Sequence, residues 1–378
     1  GEKDTEFTFT AGEKTGIAKI KVTATSGSET AVYELELQVR NPNPEETRSE
    51  LKVLMKSEKW QTAFQPFGIE GSNSANISVS AMPSINLQKR LGYLISYPHG
   101  CSEQITSAAF PQLLLKDLMG DDKKTAEQAQ ANVKDAIRLL VTRQMAGGGI
   151  ALWPGSMDPD KWVTSYCGHF MIEAERLGYN IPAGFRQKWI SFQKKTAQDW
   201  RFDSKFIYTA NEQAYRLFTL ALAGQPDKGA MNRLRETKDI PSISKWLLAA
   251  AFVTTGRPEV AESLLDMRNL STEPEYTNYY YGSMIRDRSV ILYSLVLMKK
   301  NEQALPLLKE ICESFNSDGW YSTQSLAWGL FSYMKYLENV TGSSDGPAKI
   351  KMTINNSATN LEASPRQIIR KDLEIKNG

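Results

Sequence analysis

The hydrophobic period of this chain changes twice, and that double change restricts its fold more than any other feature. Residues 1–40 alternate with period two, so Thr5–Thr10, Gly16–Thr25 and Ala31–Val39 read as three antiparallel strands separated by Gly, Ser and Asn turn residues. Asn41-Pro42-Asn43-Pro44 reads as a linker. Leu51 to Met82 is strand-rich again, with Asn76–Ala81 the clearest strand. From about Ile85 the period becomes that of amphipathic helices. The strand pattern returns after Gly342-Ser343-Ser344-Asp345-Gly346, over Ala348–Ile354 and Gln367–Ile375. A helical block flanked by β-structure is most economically a helical domain inserted into a β-domain, between host ends that lie close together.

Within the block the spacing predicts helices at Leu87–Tyr97, Ser102–Met119, Thr125–Met145, Lys161–Leu177, Ala183–Trp200, Thr209–Ala223 and Ser242–Thr255. Further helices are predicted at Pro258–Met267, Met284–Met298, Asn301–Phe315 and Thr323–Asn339. Gly178, Pro182, Gly224, Pro241 and Gly256 punctuate them. Helix pairs recur every ~35–50 residues, the scale of stacked helical hairpins. Periodicity does not choose between an open solenoid and a closed ring.

Composition excludes several function classes. Lys+Arg number 45 and Asp+Glu 43, a balance that gives no electrostatic footprint for nucleic acid or an acidic membrane. No apolar run is long enough to span a bilayer. Cys101, Cys167 and Cys312 match no zinc spacing, and His99 and His169 are the two histidines, too few for a His-based metal site. No cofactor or metal is expected. Cys167 and Cys312 lie in apolar helical stretches and read as buried, inert thiols, although spacing leaves a disulfide between them open.

Chemistry concentrates in Tyr97-Pro98-His99-Gly100-Cys101-Ser102-Glu103-Gln104. Pro98 and Gly100 force a turn and Cys101 opens a helix, so its thiol lies on the same face as the Gln104 carboxamide three residues on. Attack of the thiol with loss of ammonia gives an internal thioester, a stored acylating group. A helix N-terminus is expected to lower the thiol pKa and to stabilise a developing oxyanion. A thioester also needs an apolar cover, for which Tyr93, Tyr97, Phe110 and Trp153 are at hand. Glu103 is read as a residue that caps or orients the site.

Four segments then match one family. Residues 97–107, Y-P-H-G-C-S-E-Q-I-T-S, resemble the Y-P-x-G-C-x-E-Q-T-T-S thioester motif of bacterial alpha-2-macroglobulins, relatives of complement component C3. Gly147–Gly155 resembles the family's Gly-rich W-P-G loop, Trp162–Pro182 its W-x-T-x-Y helix, and Trp320–Trp328 its late W-x-S-T-Q segment. The resemblance implies a multidomain α and β chain. Residues 84–344 would be a thioester domain, an α/α toroid. It would be inserted into a CUB-like β-sandwich made of residues 43–83 and 345–378, with residues 1–42 the tail of a macroglobulin-like β-domain. It implies Cys101 and Gln104 as the partners of the thioester bond, with Tyr97, Glu103 and Trp153 shielding or orienting it. Ser102 and Ile105 depart from the motif. Relatives that acylate hydroxyls use a downstream histidine, and Thr209–Phe218, where its equivalent would lie, contains none. Amines are therefore the implied targets.

The implied function is a single-use protease trap rather than an enzyme: cleavage of a bait elsewhere exposes the thioester, which acylates amines of the protease. Proteases are the implied partners, with no nucleic acid and no membrane insertion by this segment, as a monomer. The implied location is periplasmic or extracellular, anchored through a terminus outside this segment. Two other readings stand beside it. One is a toroidal carbohydrate-active enzyme using carboxylates such as Glu173, Glu212 and Asp287. The other is covalent tagging of cell surfaces without a bait.

Overall fold

The computed structural model describes residues 4–10, 12, 15–40, 46–50, 52, 54, 57–68, 71–80, 83, 85, 87–96, 100–115, 123–267, 270, 281–317, 319–340, 347–363 and 368–375. The chain divides into two compact units at residues 52 and 53. In the first, β1 (Gly16–Ser26) and β2 (Glu29–Val39) form an antiparallel hairpin in register from Gly16↔Val39 to Ser26↔Glu29. Gly27, at φ +60°, supplies the left-handed turn residue. The strand expected at Thr5–Thr10 is absent. Its alternation has no ladder partner among the described residues, and pattern alone does not hold a strand.

The second unit carries the helical block. Its helices are α1 (Leu87–Ser96), α2 (Ser102–Ala109), α3 (Lys123–Thr142), α4 (Lys161–Arg176), α5 (Ala183–Asp199) and α6 (Thr209–Leu222). They continue as α7 (Lys228–Glu236), α8 (Ser242–Thr254), α9 (Pro258–Leu264), α10 (Met284–Leu297), α11 (Asn301–Asn316) and α12 (Thr323–Val340). Even-numbered helices contact one another in a cycle: α2 on α4, α4 on α6, α6 on α8, α8 on α10, α10 on α12, and α12 back on α2. Odd-numbered helices pack outside them, each on one or both of its neighbours in sequence.

Sequence explains this sorting. In α8 the stretch Trp246–Phe252 is buried without interruption, as a helix enclosed on all sides must be. In α7 only Ala230, Met231 and Leu234 are buried, and the remaining face is Lys, Arg, Asn and Glu. Glycines set the inner–outer contacts. A Cβ on Gly168 of α4 would stand 2.2 Å from the Trp189 ring of α5, and one on Gly329 of α12 would stand 2.3 Å from the Phe315 ring of α11. Four inner helices end alike, with a residue of positive φ at Gly178, Gly224, Gly256 or Lys299 and a bond closing five residues back, as in Tyr179 N–H to Ala174 O at 3.0 Å.

The helix expected at Ser102–Met119 is shorter. It stops at Ala109 and a 3₁₀ turn, Pro111–Leu114, follows, because Pro111 has no N–H to continue the ladder. The enclosed centre is aromatic: Phe110, Tyr215, Phe218, Tyr293, Trp328 and Phe331 are all buried around His169. Each contributes about 1.5–3 kcal/mol by burial.

Strand β3 (Ala75–Ser80) precedes the helices and pairs antiparallel with β6 (Ile368–Leu373), which follows them, in register Ala75↔Leu373. The chain therefore leaves a β-ladder, builds the helices and returns to the same ladder. β4 (Ala348–Ile354) and β5 (Ser357–Ala363) form a hairpin through Asn355 and Asn356, both at positive φ. The linker at Asn41–Pro44 lies outside the described residues.

Candidate functional site

Helix α2 begins with a capping box in which sulfur replaces the usual hydroxyl. Cys101 is the N-cap, at φ −95° and ψ 160°, and its Sγ accepts the Gln104 N–H at 3.4 Å. In return Gln104 Oε1 accepts the N–H of Gly100 at 3.3 Å and of Cys101 at 3.5 Å. The ordinary motif is Ser/Thr-x-x-Glu/Gln, and it brings the N-cap side chain and the third-residue side chain onto the same turn. Here that geometry places a thiol beside a carboxamide whose oxygen already faces two N–H donors. The electrophilic carbon is polarised where charge would develop during attack.

Neighbouring bonds hold this turn in place. Ser102 donates its N–H to Leu152 O at 2.8 Å and its Oγ–H to Ala151 O at 2.6 Å. Segment 150–152 is itself pinned by Ile150 N–H to Thr164 Oγ1 at 2.9 Å and Asp160 N–H to Ile150 O at 2.9 Å. Trp153 lies against the turn, since a Cβ added to Gly100 would stand 2.8 Å from its ring, and Trp153 is 49 % exposed. Position 100 therefore needs glycine for this approach.

Cys101 is 6 % exposed. Burial pushes its thiol pKa up, and the N–H groups of Gln104 and Glu103 offset this only in part. The sequence expectation of a lowered pKa is thus reversed. Desolvation outweighs the helix terminus, and Ser102 N–H is already taken by Leu152. An uncharged thioester suits such a pocket better than a thiolate does.

Glu103 turns away from this pair. Its carboxylate is 4 % exposed and accepts from Ser107 Oγ at 2.6 Å and from Thr323 Oγ1 at 3.0 Å, which ties α2 to the start of α12. Burial raises its pKa, and those hydroxyls pull it back. Below α2, Cys167 of α4 touches Thr106 Oγ1 at 3.1 Å. All three cysteines are buried and free, so Cys167 and Cys312 form no disulfide.

His169 is fully buried, with Nδ1 3.0 Å from Tyr215 Oη and its pKa lowered by burial to about 3. It is a neutral core residue. Phe110 belongs to the same aromatic interior rather than to a cover over Cys101. Tyr93 is half-buried against the core. Tyr97 and His99 lie outside the described residues. Trp162 and Trp328 are buried, as packing predicts, whereas Trp320 is 77 % exposed. Of the carboxylates weighed for glycoside chemistry, Glu173 is held by Lys335 at 2.7 Å and Arg176 at 2.9 Å, and Asp287 pairs with Arg286. Glu212 lies beside Arg216 and Asp160. The described residues contain no cluster suited to a metal ion and no helix long and apolar enough to cross a membrane.

Sequence reasoning missed Ser107, Thr323 and Tyr281. The phenol pKa of Tyr281 is raised by burial and then by Asp160, Glu103 and Cys101, which puts it within electrostatic reach of the site. Ser107 and Thr323 lie inside matched segments, but no local signal gives any of the three residues its role. The capping box did have a signal, the x-x-Gln spacing after an N-cap, hidden by Cys in place of Ser.

No family model matches the chain. It is 25 % identical over 332 residues to alpha-2-macroglobulin of Escherichia coli strain K12, covering 80 % of this chain and 19 % of that protein. A solved portion of the E. coli protein, from domain MG7 to the C-terminus, superposes with a TM-score of 0.65 at 21 % identity, over 95 % of this chain and 59 % of that one. In sequence and in fold the chain is similar to bacterial alpha-2-macroglobulins. Salmonella alpha-2-macroglobulin reacted with methylamine gives the same TM-score of 0.65 at 19 % identity, over 96 % of this chain and 24 % of that one. The chain spans about a fifth of the length of the curated alpha-2-macroglobulin it matches, 19 %.

Proposed function

We propose that Cys101 and Gln104 condense to an internal thioester and that the chain is the thioester-bearing part of a protease-trapping inhibitor. The observation that carries this reading is the sulfur capping box, with Gln104 Oε1 facing two N–H donors while Gln104 N–H faces Sγ at 3.4 Å. In forming the bond, Sγ attacks the carboxamide carbon, the carbon–nitrogen bond breaks, and the thiol proton leaves with ammonia. In using it, an amine attacks the same carbon, the carbon–sulfur bond breaks, and the amine proton passes to Sγ. The products are an amide on position 104 and a free Cys101 thiol.

Amines are favoured as targets because, among the described residues, no imidazole is placed to activate a hydroxyl. His169 is buried in the aromatic interior, and Thr209–Phe218 carries no histidine. Relatives support the partner class: the Salmonella protein has been solved after reaction with methylamine and the E. coli protein after activation by trypsin. The cyclic contacts of α2, α4, α6, α8, α10 and α12 support an α/α toroid over residues 84–344. The β3–β6 pairing across it supports insertion into a CUB-like sandwich of residues 43–83 and 345–378. Residues 1–42 complete the reading as the end of a macroglobulin-like domain, in a periplasmic or extracellular protein. Bait specificity belongs to other parts of the full-length protein. Intact mass tests the chemistry: a thioester makes the chain lighter than its sequence by one ammonia, and methylamine is then taken up. A chain of full sequence mass that takes up no methylamine contradicts it.

A further inference from the structure

We infer that Arg143 is a positioning residue for the thioester, acting through the Gly100–Cys101 peptide. This rests on the thioester reading above. Arg143 follows the end of α3, and its Nη2 donates to Gly100 O at 3.4 Å. The N–H on the other side of that same peptide unit, Cys101 N–H, points to Gln104 Oε1 at 3.5 Å. A trans peptide is planar, and its C=O and N–H point in opposite directions. Holding the oxygen therefore aims the N–H. A cation on the carbonyl also draws electron density through the amide and makes that N–H a stronger donor.

Three observations favour a built device over a chance surface contact. Arg143 is anchored by its own backbone, N–H to Leu140 O at 3.1 Å and O from Ala151 N–H at 3.0 Å. Its guanidinium makes no ion pair among the described residues, and its Nε is buried without an acceptor there. The segment it opens also supplies Ala151, Leu152 and Trp153, which hold Ser102 and Gly100. One stretch, residues 143–153, thus fixes the turn from three sides.

The test uses the 378-residue chain with carboxamide-carbon ¹³C-glutamine, as wild type, Arg143→Met and Arg143→Lys. Intact mass gives the thioester fraction, methylamine uptake gives the rate, and infrared difference spectra before and after methylamine give the thioester carbonyl stretch. Arg143→Met is expected to slow uptake by about tenfold to hundredfold and to raise the stretching frequency, because an N–H aimed at the oxygen is loosened. Arg143→Lys, which keeps a cationic donor, recovers part of both. Circular dichroism reports folding. Where Arg143→Met does not fold, Arg143→Gln replaces it: a slower, higher-frequency thioester supports the inference, and wild-type rate and frequency contradict it. A wild-type thioester with an indistinguishable Arg143→Met overturns the inference alone. A wild-type chain whose position 104 stays glutamine, with neither loss of ammonia nor conversion to glutamate, overturns the thioester reading and the inference with it.

Discussion

Two buried thiols lie on neighbouring helices, and their surroundings differ in a way that separates a reactive group from an inert one. Cys101 caps α2 and Cys167 lies in the middle of α4. Burial raises both pKa values, that of Cys167 to about 12. Thiol acidity therefore does not single out Cys101. Its neighbours do: a carboxamide carbon with a leaving group, and two N–H donors on the oxygen of that carboxamide. Among the described residues, the Cys167 thiol has as polar partners the Thr106 hydroxyl and, at 3.9 Å, Ser102 O. The first turn of α2 is an arrangement of backbone donors around a reaction, whereas the middle of α4 is packing.

The sharpest way to break this contrast is to delete each thiol. Cys101→Ala or Gln104→Ala is expected to abolish methylamine uptake, and Cys167→Ala to leave it unchanged while costing about 1 kcal/mol of stability. Mass spectrometry and urea titration report the two effects.

The same glycine substitution in the two regions should separate fold from chemistry. Gly168→Ala drives a Cβ to 2.2 Å from the fully buried Trp189, so stability falls by about 1–3 kcal/mol or more in urea unfolding. Gly100→Ala meets Trp153, which is half-exposed and free to swing away, so stability changes little while methylamine uptake slows. Equal stability losses for both would erase the distinction.

His169 gives the α4 region a pH signature that Cys101 lacks. Its folded pKa is depressed, to about 3 against 6.5 unfolded, so the unfolded chain binds the proton first. Stability is complete above 6.5 and falls as pH drops from there toward 3. The loss reaches ~2 kcal/mol between pH 6.5 and 5, at 1.36 kcal/mol per unit. His169→Gln should flatten that part of the urea-stability profile between pH 7 and 5. An unchanged slope would mean that His169 is solvated and protonated in the folded chain.

The smallest effect concerns the residue between the two thiols. Thr106 Oγ1 donates to Ser102 O at 2.7 Å and contacts Cys167 Sγ. Thr106→Val should cost about 0.5–1.5 kcal/mol in urea unfolding with methylamine uptake retained.

Much of this was legible in the sequence wherever one local rule acts alone. Helix α8 announces itself by Trp246–Phe252, and α4 by its Asp160 cap and Gly178 stop. Helix α7 was missed because only Ala230, Met231 and Leu234 mark its buried face. Strand β5 was missed because Ser357–Ala363 is polar, although Asn355-Asn356 before it is turn chemistry that tolerates positive φ. Thr5–Thr10 alternates like a strand yet pairs with nothing among the described residues. At the site, Cys101 and Gln104 were found by spacing and by family motif. The direction of the thiol shift was misread, because it depends on burial by α4 and the 150–153 segment, contacts made far along the chain. Thr323 reaches Glu103 across 220 positions, and no local pattern carries that information.

The most direct measurement is peptide mapping of the purified chain with and without methylamine. The fragment from Leu91 to Lys116 contains Cys101 and Gln104 between flanking tryptic sites. The account predicts that this fragment is lighter by one ammonia, resists thiol alkylation, and after methylamine carries an N-methyl amide at position 104 with Cys101 newly alkylable. A fragment with an unmodified Gln104 amide and a Cys101 thiol that is alkylated before methylamine is added contradicts it.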